Sequence, residues 1–312
     1  MKKKYLNLFF QIVVLVFIVQ IIFFEETDLK KLTFIFSAKI QILLILSLLS
    51  KIFLTYLFYL LLKIVCSRNF NFFETSNFFL QGGIVNQLLP GVGFVYKYYK
   101  FNTQAGVSVS EFATSQALWS FFIFTAYILL AVLFGYTSVT ISKFSLIFLL
   151  VFIICITVIF YIFRYNIYDH IKSSLLKINR ISNFIGQIKI VKDNMMKYSL
   201  SLFYIFIGFI ILGLLQCFNF FVGLLIFGSD ITFISSNYIY ISSTLASFIT
   251  IVNFFGLFEL ILHISSSIFN PDLKDIILFA FAFRLINILA TLILIITYNT
   301  TKVTKMLLQL VL

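Results

Sequence analysis

The chain has 312 residues, of which 62% are hydrophobic and 11% are charged, and its mean hydropathy is +1.09. This composition excludes a sizeable water-soluble domain, and apolar runs of about 20 residues predict helices that cross a lipid bilayer. The net charge of +12 lies in short segments between the apolar runs. Such segments are typical of membrane topology signals rather than of a nucleic-acid-binding face. We therefore predict an all-α integral membrane protein, a polytopic helical bundle that forms a single transmembrane domain over residues 1–312.

Six uninterrupted apolar segments predict full membrane spans. They cover residues 5–24, 40–62, 112–136, 144–163, 200–222 and 276–298. The first run is long and lacks a small-residue cleavage site, so we expect a retained span rather than a signal peptide. Between the fourth and fifth spans, segment 164–198 carries apolar residues at helical spacing among lysines and arginines. This pattern predicts either an amphipathic helix on the cytoplasmic leaflet or a basic connecting loop.

Two further apolar regions are interrupted. The first, at about 77–101, contains paired glycines, two side-chain amides and Pro90, which are expected to break a continuous helix. The second, at about 239–270, has polar residues amid strong hydrophobes. Each region is either a re-entrant hairpin, a pair of ordinary spans or one kinked span.

The distribution of lysine and arginine near the span ends predicts the topology. It places both termini and segment 164–198 in the cytoplasm, with the protein multi-pass in the cytoplasmic (inner) membrane of the cell. The same distribution puts both ends of the first interrupted region inside and both ends of the second outside. Two oppositely oriented re-entrant hairpins would then form an inverted repeat around the midplane, an arrangement typical of transporters.

Charged residues at predicted membrane depth indicate functional sites, because burying them in lipid is costly. Lys97 and Lys100 follow the break at Pro90, where they are expected to meet an anionic headgroup. The alternative is that both side chains snorkel to the cytoplasmic interface. Glu259 and Arg284 are expected to form a buried pair, which is either structural or in contact with the substrate.

Other chemistry is less strongly indicated. Lys51 lies in the middle of the second span and is expected to face the bundle or an aqueous cavity, unless the span boundaries shift. Cys66, Cys155 and Cys217 are isolated and the chain has two histidines, so we expect neither a metal site nor a cofactor. An acidic triplet at residues 26–28 follows the first span, as in membrane glycosyltransferases that use polyprenyl-phosphate sugars. The loop is short, and a solvated loop is the favoured interpretation.

The segment NQLLPGVGFVYKYYKFNTQAGVSVSEF resembles the lysylphosphatidylglycerol synthase transmembrane-region family, also called flippase-like or UPF0104. In that family Pro-Gly is followed by Gly, a basic residue and Gly-x-Ser. The matching positions are Pro90, Gly91, Gly93, Lys97 and Gly106.

In the second interrupted region, IVNFFGLFE is similar to the Pro-Gly-x-x-Gly-x-x-Glu pattern of the same family. Gly256 and Glu259 match that pattern, and Arg284 matches a basic residue in the following span. Val252 and Asn253 stand where the family has Pro-Gly, and the acidic residue often found near the first pattern is absent.

The resemblance implies a flippase-like protein that translocates or handles an anionic phospholipid or a lipid-linked sugar in cell-envelope biogenesis. Because the chain stops soon after the last span, aminoacyl transfer is not expected, and a transporter is favoured over an enzyme. The expected substrate-binding residues are Lys97, Lys100, Glu259, Arg284 and Asn86, with hairpin backbone at Pro90, Gly91, Gly93 and Gly256.

Two other functions remain open. One is a polyprenyl-phosphate-dependent glycosyltransferase that uses Glu26 and Asp28. The other is a non-catalytic membrane subunit that works with envelope-biosynthesis enzymes. Neither nucleic acid nor a metal is expected as a partner.

Overall fold

Seven α-helices make up the part of the chain that the structure describes. The structure, a computed structural model, describes residues 38–88, 92–135, 193–194, 197–249 and 276–311. The helices are α1 (Ala38–Cys66), α2 (Phe72–Leu88), α3 (Val92–Ala105), α4 (Val109–Gly135), α5 (Ser199–Ile226), α6 (Phe233–Ile249) and α7 (Ile276–Val311). No strand occurs within these ranges, so the predicted all-α class is confirmed there.

Four helices are long and apolar enough to cross a membrane. The spanning segments are Lys39–Cys66, Val109–Phe134, Ser199–Ile226 and Ala282–Thr300. They correspond to four of the six predicted spans. The other two, at 5–24 and 144–163, lie outside the described residues, as does nearly all of the basic segment 164–198.

Large apolar side chains point away from the bundle on the long helices. Ile45 is 56% exposed, Leu200 65% and Ile296 62%. In water this much exposed apolar surface would be unfavourable, but lipid tails solvate it well. The exposed apolar faces and the four long helices together indicate a helical membrane protein.

Helix α5 lies at the centre of the bundle and contacts α1, α4, α6 and α7. Three of its glycines each face a different neighbour: a Cβ added at Gly208, Gly213 or Gly223 would lie 2.6 Å from a side-chain carbon of α1, α4 or α7, respectively. Because lipid supplies no hydrophobic force between helices, close packing at small residues stabilises such interfaces.

Helices α1 and α5 run antiparallel. The Asn194 side chain, just before α5, donates to the Val65 carbonyl at the end of α1, whereas Asn219 near the end of α5 donates to Ser47 in the first half of α1. Together the two helices provide the long central interface on which the other elements pack.

Helices α2 and α3 form an antiparallel hairpin joined by residues 89–91. The Tyr96 hydroxyl donates to the Gln81 side chain at 2.7 Å, and the Phe78 and Phe101 rings meet edge to face at 5.5 Å. At its base, Asn77 donates to Asn299 of α7 at 2.6 Å. The hairpin therefore extends over residues 72–105, beyond the predicted limits of 77–101.

The structure corrects one expectation about this hairpin. Gly82 and Gly83 do not interrupt the helix, because α2 continues through both to Leu88. A glycine inside a helix costs about 1 kcal/mol relative to alanine. At Gly82 this cost is offset by a close crossing: a Cβ there would overlap the Lys97 side chain and lie 3.0 Å from the Gly93 carbonyl oxygen.

The helix contacts follow a regular pattern between two halves of the chain, which comprise α1–α4 and α5–α7. The hairpin arm α2 packs on α7, the last helix of the other half, and α6 packs on α4, the last helix of the first half. Likewise, α1 packs on α7 and α5 packs on α4. The second interrupted region begins with α6 at Phe233, before its predicted start at 239, and residues 250–270 of it lie outside the described ranges.

Candidate functional site

A polar cavity of about 250 Å³ lies between α1, α2, α5, α6 and α7. Its lining comprises two cationic side chains, five side-chain amides, three hydroxyl groups and one phenyl ring. These residues are Lys51, Arg284, Asn86, Gln87, Gln216, Asn219, Asn287, Ser50, Tyr240, Thr244 and Phe283. No carboxylate occurs among the described lining residues, and two of them, Lys51 and Arg284, are cationic.

The cavity lies at the middle of the bundle. Lys51 is 13 residues from the start of α1 and 15 from its end, which corresponds to roughly 20 and 23 Å of helix. Asn86 and Gln87 belong to the last turn of α2, next to the hairpin tip. The tip of the hairpin therefore reaches the level of Lys51 and not the far end of α1.

The two cations come from different halves of the chain. Lys51 lies on α1 beside Ser50, and Arg284 lies on α7 one turn before Asn287. Both cationic side chains are half-buried. Lys51 and Arg284 can each donate hydrogen bonds to an anionic group that enters the cavity.

Hydrogen bonds hold the amides of α5 in place. The Asn219 amide nitrogen donates to the Ser47 hydroxyl at 3.0 Å, and the Tyr127 hydroxyl of α4 donates to the Gln216 side-chain oxygen. On α7, the Asn287 amide donates to the Phe283 carbonyl at 2.9 Å. Their own partners thus orient these side chains before any ligand binds.

Lys97, a predicted substrate residue, is held between aromatic rings rather than at an interface. Its ammonium lies 4.1 Å from the centre of the Phe79 ring and 5.9 Å from that of Trp119. It is not a lining residue of the cavity, but it is close enough to Lys51 for the two positive charges to repel each other. The side chain is half-buried.

The other predicted site residues separate into four groups. Asn86 and Arg284 line the cavity, whereas Lys100 is half-buried on α3 with its ammonium 5.8 Å from the Tyr96 ring centre. Gly93 is buried at the crossing of the hairpin arms, against Gly82 and Asn86. The remaining four lie outside the described residues: Pro90, Gly91, Gly256 and Glu259.

Glu111, in the first turn of α4, has a structural role. Its carboxylate accepts from the Ser108 backbone N–H at 2.8 Å, and the Ser108 hydroxyl accepts from the Glu111 N–H, which together form a capping box at the start of α4. The same carboxylate pairs with Arg68 at 2.9 Å. These contacts fix the base of the hairpin against the ends of α1 and α4.

Sequence reasoning missed most of the cavity lining because it considered charged residues first. Gln216 and Asn219 lie in the strongly apolar run LGLLQCFNFF, three residues apart and therefore on one helix face. A neutral amide inside an apolar span needs a partner or a polar cavity. This spacing was the available signal for the site.

With two cationic side chains and five side-chain amides, the cavity suits a phosphate or a hydroxylated headgroup. Arginine and lysine neutralise phosphate oxygens, and amides bind sugar or glycerol hydroxyls. The described residues contain no group of three or more His, Cys, Asp or Glu side chains that would hold a metal ion. What they offer is binding chemistry.

No family model, curated protein or solved structure matches this chain. The resemblance to the lysylphosphatidylglycerol synthase transmembrane region therefore stays a prediction, and the function is argued from the cavity itself.

Proposed function

We propose that this protein is a flippase-like translocase of the cytoplasmic membrane, which binds the headgroup of an anionic phospholipid or a lipid-linked sugar while the lipid tail stays in the bilayer. The central polar cavity is the observation that carries the proposal. It combines Lys51 and Arg284 with five amides and lies about halfway along α1. A headgroup that pauses at mid-depth needs such a substitute for water.

The position of the hairpin supports a re-entrant segment. Its base contacts Tyr298 and Asn299 of α7, and its tip lies beside Lys51. At 14 residues, α3 is shorter than the roughly 17–25 residues that a spanning helix needs. Broken helices that end at the midplane are a common way to place a polar site in a transporter.

The helix contacts support an inverted repeat. In this proposal, α1, α2 and α4 of the first half correspond to α5, α6 and α7 of the second half. Exchanging the halves converts the α2–α7 contact into the α6–α4 contact, and the α1–α7 contact into the α5–α4 contact. An approximate two-fold relation between the halves would produce this exchange.

A second cavity supports a lipid as the substrate. It measures about 710 Å³ and extends between α1 and α5, from Ser67 and Tyr198 at one end to Phe53 and Ile211. Most of its lining is apolar, but Lys63 and Arg68 lie at one end. Lys51 and Gln216, which line the polar cavity, come from the same two helices. This groove provides a route for the lipid tail while the headgroup moves inward.

The test uses purified full chain in vesicles with a fluorescent phosphatidylglycerol or phosphatidylcholine, and an impermeant quencher that reports headgroup movement. Wild-type protein is expected to speed translocation of the anionic lipid more than that of the zwitterionic lipid. Lys51→Met and Arg284→Gln are each expected to slow it at least about tenfold, the loss of one charge-assisted contact. Lys39→Met, exposed near the start of α1, is the matched control.

The two outcomes are clearly separated. Translocation that depends on Lys51 and Arg284 but not on Lys39 supports the proposal. If no lipid moves faster than in protein-free vesicles, or if all three variants behave like wild type, the proposal is wrong. Lys51→Arg keeps the charge, so recovered activity in that variant shows that the loss in Lys51→Met is not a folding defect.

A further inference from the structure

Three side chains of α3 and α4 carry hydrogen-bond donors without acceptors among the described residues, away from the lining of the polar cavity. The first is the ammonium of Lys97, which contacts the rings of Phe79 and Trp119 and has no hydrogen bond or ion pair in the described part of the chain. The other two are the Trp119 indole N–H and the Gln116 side-chain amide nitrogen. Both nitrogens are buried and lack partners among the described residues.

Packing on Phe79 of α2 brings Lys97 and Trp119 together. Gln116 and Trp119 are three residues apart on α4 and so share a helix face. The Trp119 ring packs edge to face on Phe79 at 5.5 Å, and the Lys97 ammonium lies over the Phe79 ring. Gln116 is only 9% exposed, so its unpaired nitrogen is not explained by contact with solvent.

A fourth polar group lies close by in the fold. Ser76 is fully buried, three residues before Phe79 on α2, and its hydroxyl also has no partner among the described residues. Buried donors are normally satisfied, and each unpaired one costs about 1–3 kcal/mol. Several such groups around one uncompensated cation are expected where a ligand supplies the acceptors.

We infer that Lys97, Trp119 and Gln116 form a second anion-binding subsite, which takes a phosphate-type oxyanion. The ligand would accept from the ammonium, the indole N–H and the amide, and the aromatic walls would strengthen these contacts by excluding water. The subsite is distinct from the Lys51 and Arg284 cavity, and its existence does not depend on lipid translocation.

Close packing places Lys97 at this position. Its side-chain stem lies across Gly82, where a Cβ would overlap the Lys97 Cγ. The absence of a side chain at Gly82 therefore lets the lysine reach over the hairpin to the rings of α2 and α4. Lys100, one turn further along α3, lies over the Tyr96 ring instead.

The chain carries its own reporter, because Trp119 is its single tryptophan. The experiment follows Trp119 emission of the purified full chain in detergent as sodium phosphate is added, with sodium chloride at equal ionic strength as the reference. A saturable change is expected in wild type and in Lys39→Met, whose lysine is exposed near the start of α1. Lys97→Met and Gln116→Leu should weaken phosphate binding by at least about tenfold and about threefold, respectively.

A second arm identifies the source of the oxyanion. Trp119 emission is compared between nanodiscs of phosphatidylglycerol and nanodiscs of phosphatidylcholine, for wild type and for Lys97→Met. A Lys97-dependent response to phosphatidylglycerol alone assigns the subsite to a lipid headgroup, and a response to free phosphate alone assigns it to a soluble oxyanion.

The inference is wrong if neither probe changes the emission, or if Lys97→Met responds as wild type does. Lys97→Arg retains the charge and the stacking on aromatic rings, and so is expected to retain binding. Loss of binding in both Lys97→Met and Lys97→Arg, with unchanged melting temperatures, would also contradict the subsite. Binding at Trp119 in a protein that moves no lipid would leave this inference intact and remove only the proposed translocation.

Discussion

The crossing of the two hairpin arms makes a sharp prediction from two adjacent glycines. A Cβ on Gly82 would overlap the Lys97 side chain and approach the Gly93 carbonyl oxygen to 3.0 Å, whereas a Cβ on Gly83 would have no atom within 4 Å. Both residues lie in the interior of α2. Alanine at either position therefore gains the same helix propensity, and only Gly82→Ala adds a steric cost.

The magnitudes follow from these two contributions. Replacing a helical glycine by alanine stabilises a helix by about 1 kcal/mol. Overpacking of a tight interface costs typically about 1–3 kcal/mol. Gly83→Ala is thus expected to be up to about 1 kcal/mol more stable than wild type. The propensity gain cancels between the variants, so Gly82→Ala should be less stable than Gly83→Ala by about 1–3 kcal/mol.

The measurement is the apparent melting temperature of the purified variants in one detergent, with binding of phosphate followed at Trp119 in parallel. Gly82→Ala should melt below Gly83→Ala and bind phosphate more weakly, because the added methyl group displaces the stem of Lys97. Equal melting temperatures for the two variants would refute the close crossing of α2 and α3, and with it the placement of Lys97.

Other contacts at the hairpin base and in the core give further expectations. Glu111→Ala should lower the melting temperature, because it removes the capping box and with it about 1 kcal/mol of stability. Glu111→Gln should retain most of the stability, and equal losses in the two variants would contradict the capping role. Gly106, just after α3, has φ +62°. Gly106→Ala should therefore lower the free energy of unfolding by about 1 kcal/mol, and Gly106→Asn should lower it less. Unchanged stability in Gly106→Ala would show that the turn adopts another conformation. Cys66 and Cys217 are buried. In a Cys155→Ser variant a maleimide reagent should therefore label the protein only after denaturation. Rapid labelling of the folded variant would contradict the packing of α1 and α5.

Hydropathy predicted the long helices well because lipid imposes a simple rule on the backbone. Every N–H and C=O in the hydrocarbon region must be paired internally, so an apolar run of about 20 residues has few alternatives to a helix. The predicted spans at 40–62 and 200–222 accordingly fall within α1 and α5. The hairpin was also indicated, since Pro90 marks the interruption between α2 and α3.

The close packing could not be predicted in the same way. Gly82 suggests a helix break when it is considered locally, because glycine is a poor helix former. Its role depends on contacts with Gly93 and Lys97 of the facing helix. The pattern of hydrophobicity does not show that these residues will pack against it. Hydropathy likewise gives no information on which residues of five helices will face a common cavity, so Gln216 and Asn219 were recognised only from their positions in the fold.

The arrangement of the two halves links the cavity to a movement of one half against the other. Lys51 comes from the first half and Arg284 from the second, so an anion held by both would bridge the halves. Helix α2 packs on α7 and α6 packs on α4, so each half supports an element of the other. A rotation of one half against the other would therefore shift both walls of the cavity at once. In the proposed translocase, this coupling lets a headgroup that neutralises both cations stabilise the intermediate in which the halves exchange access between the two faces of the membrane.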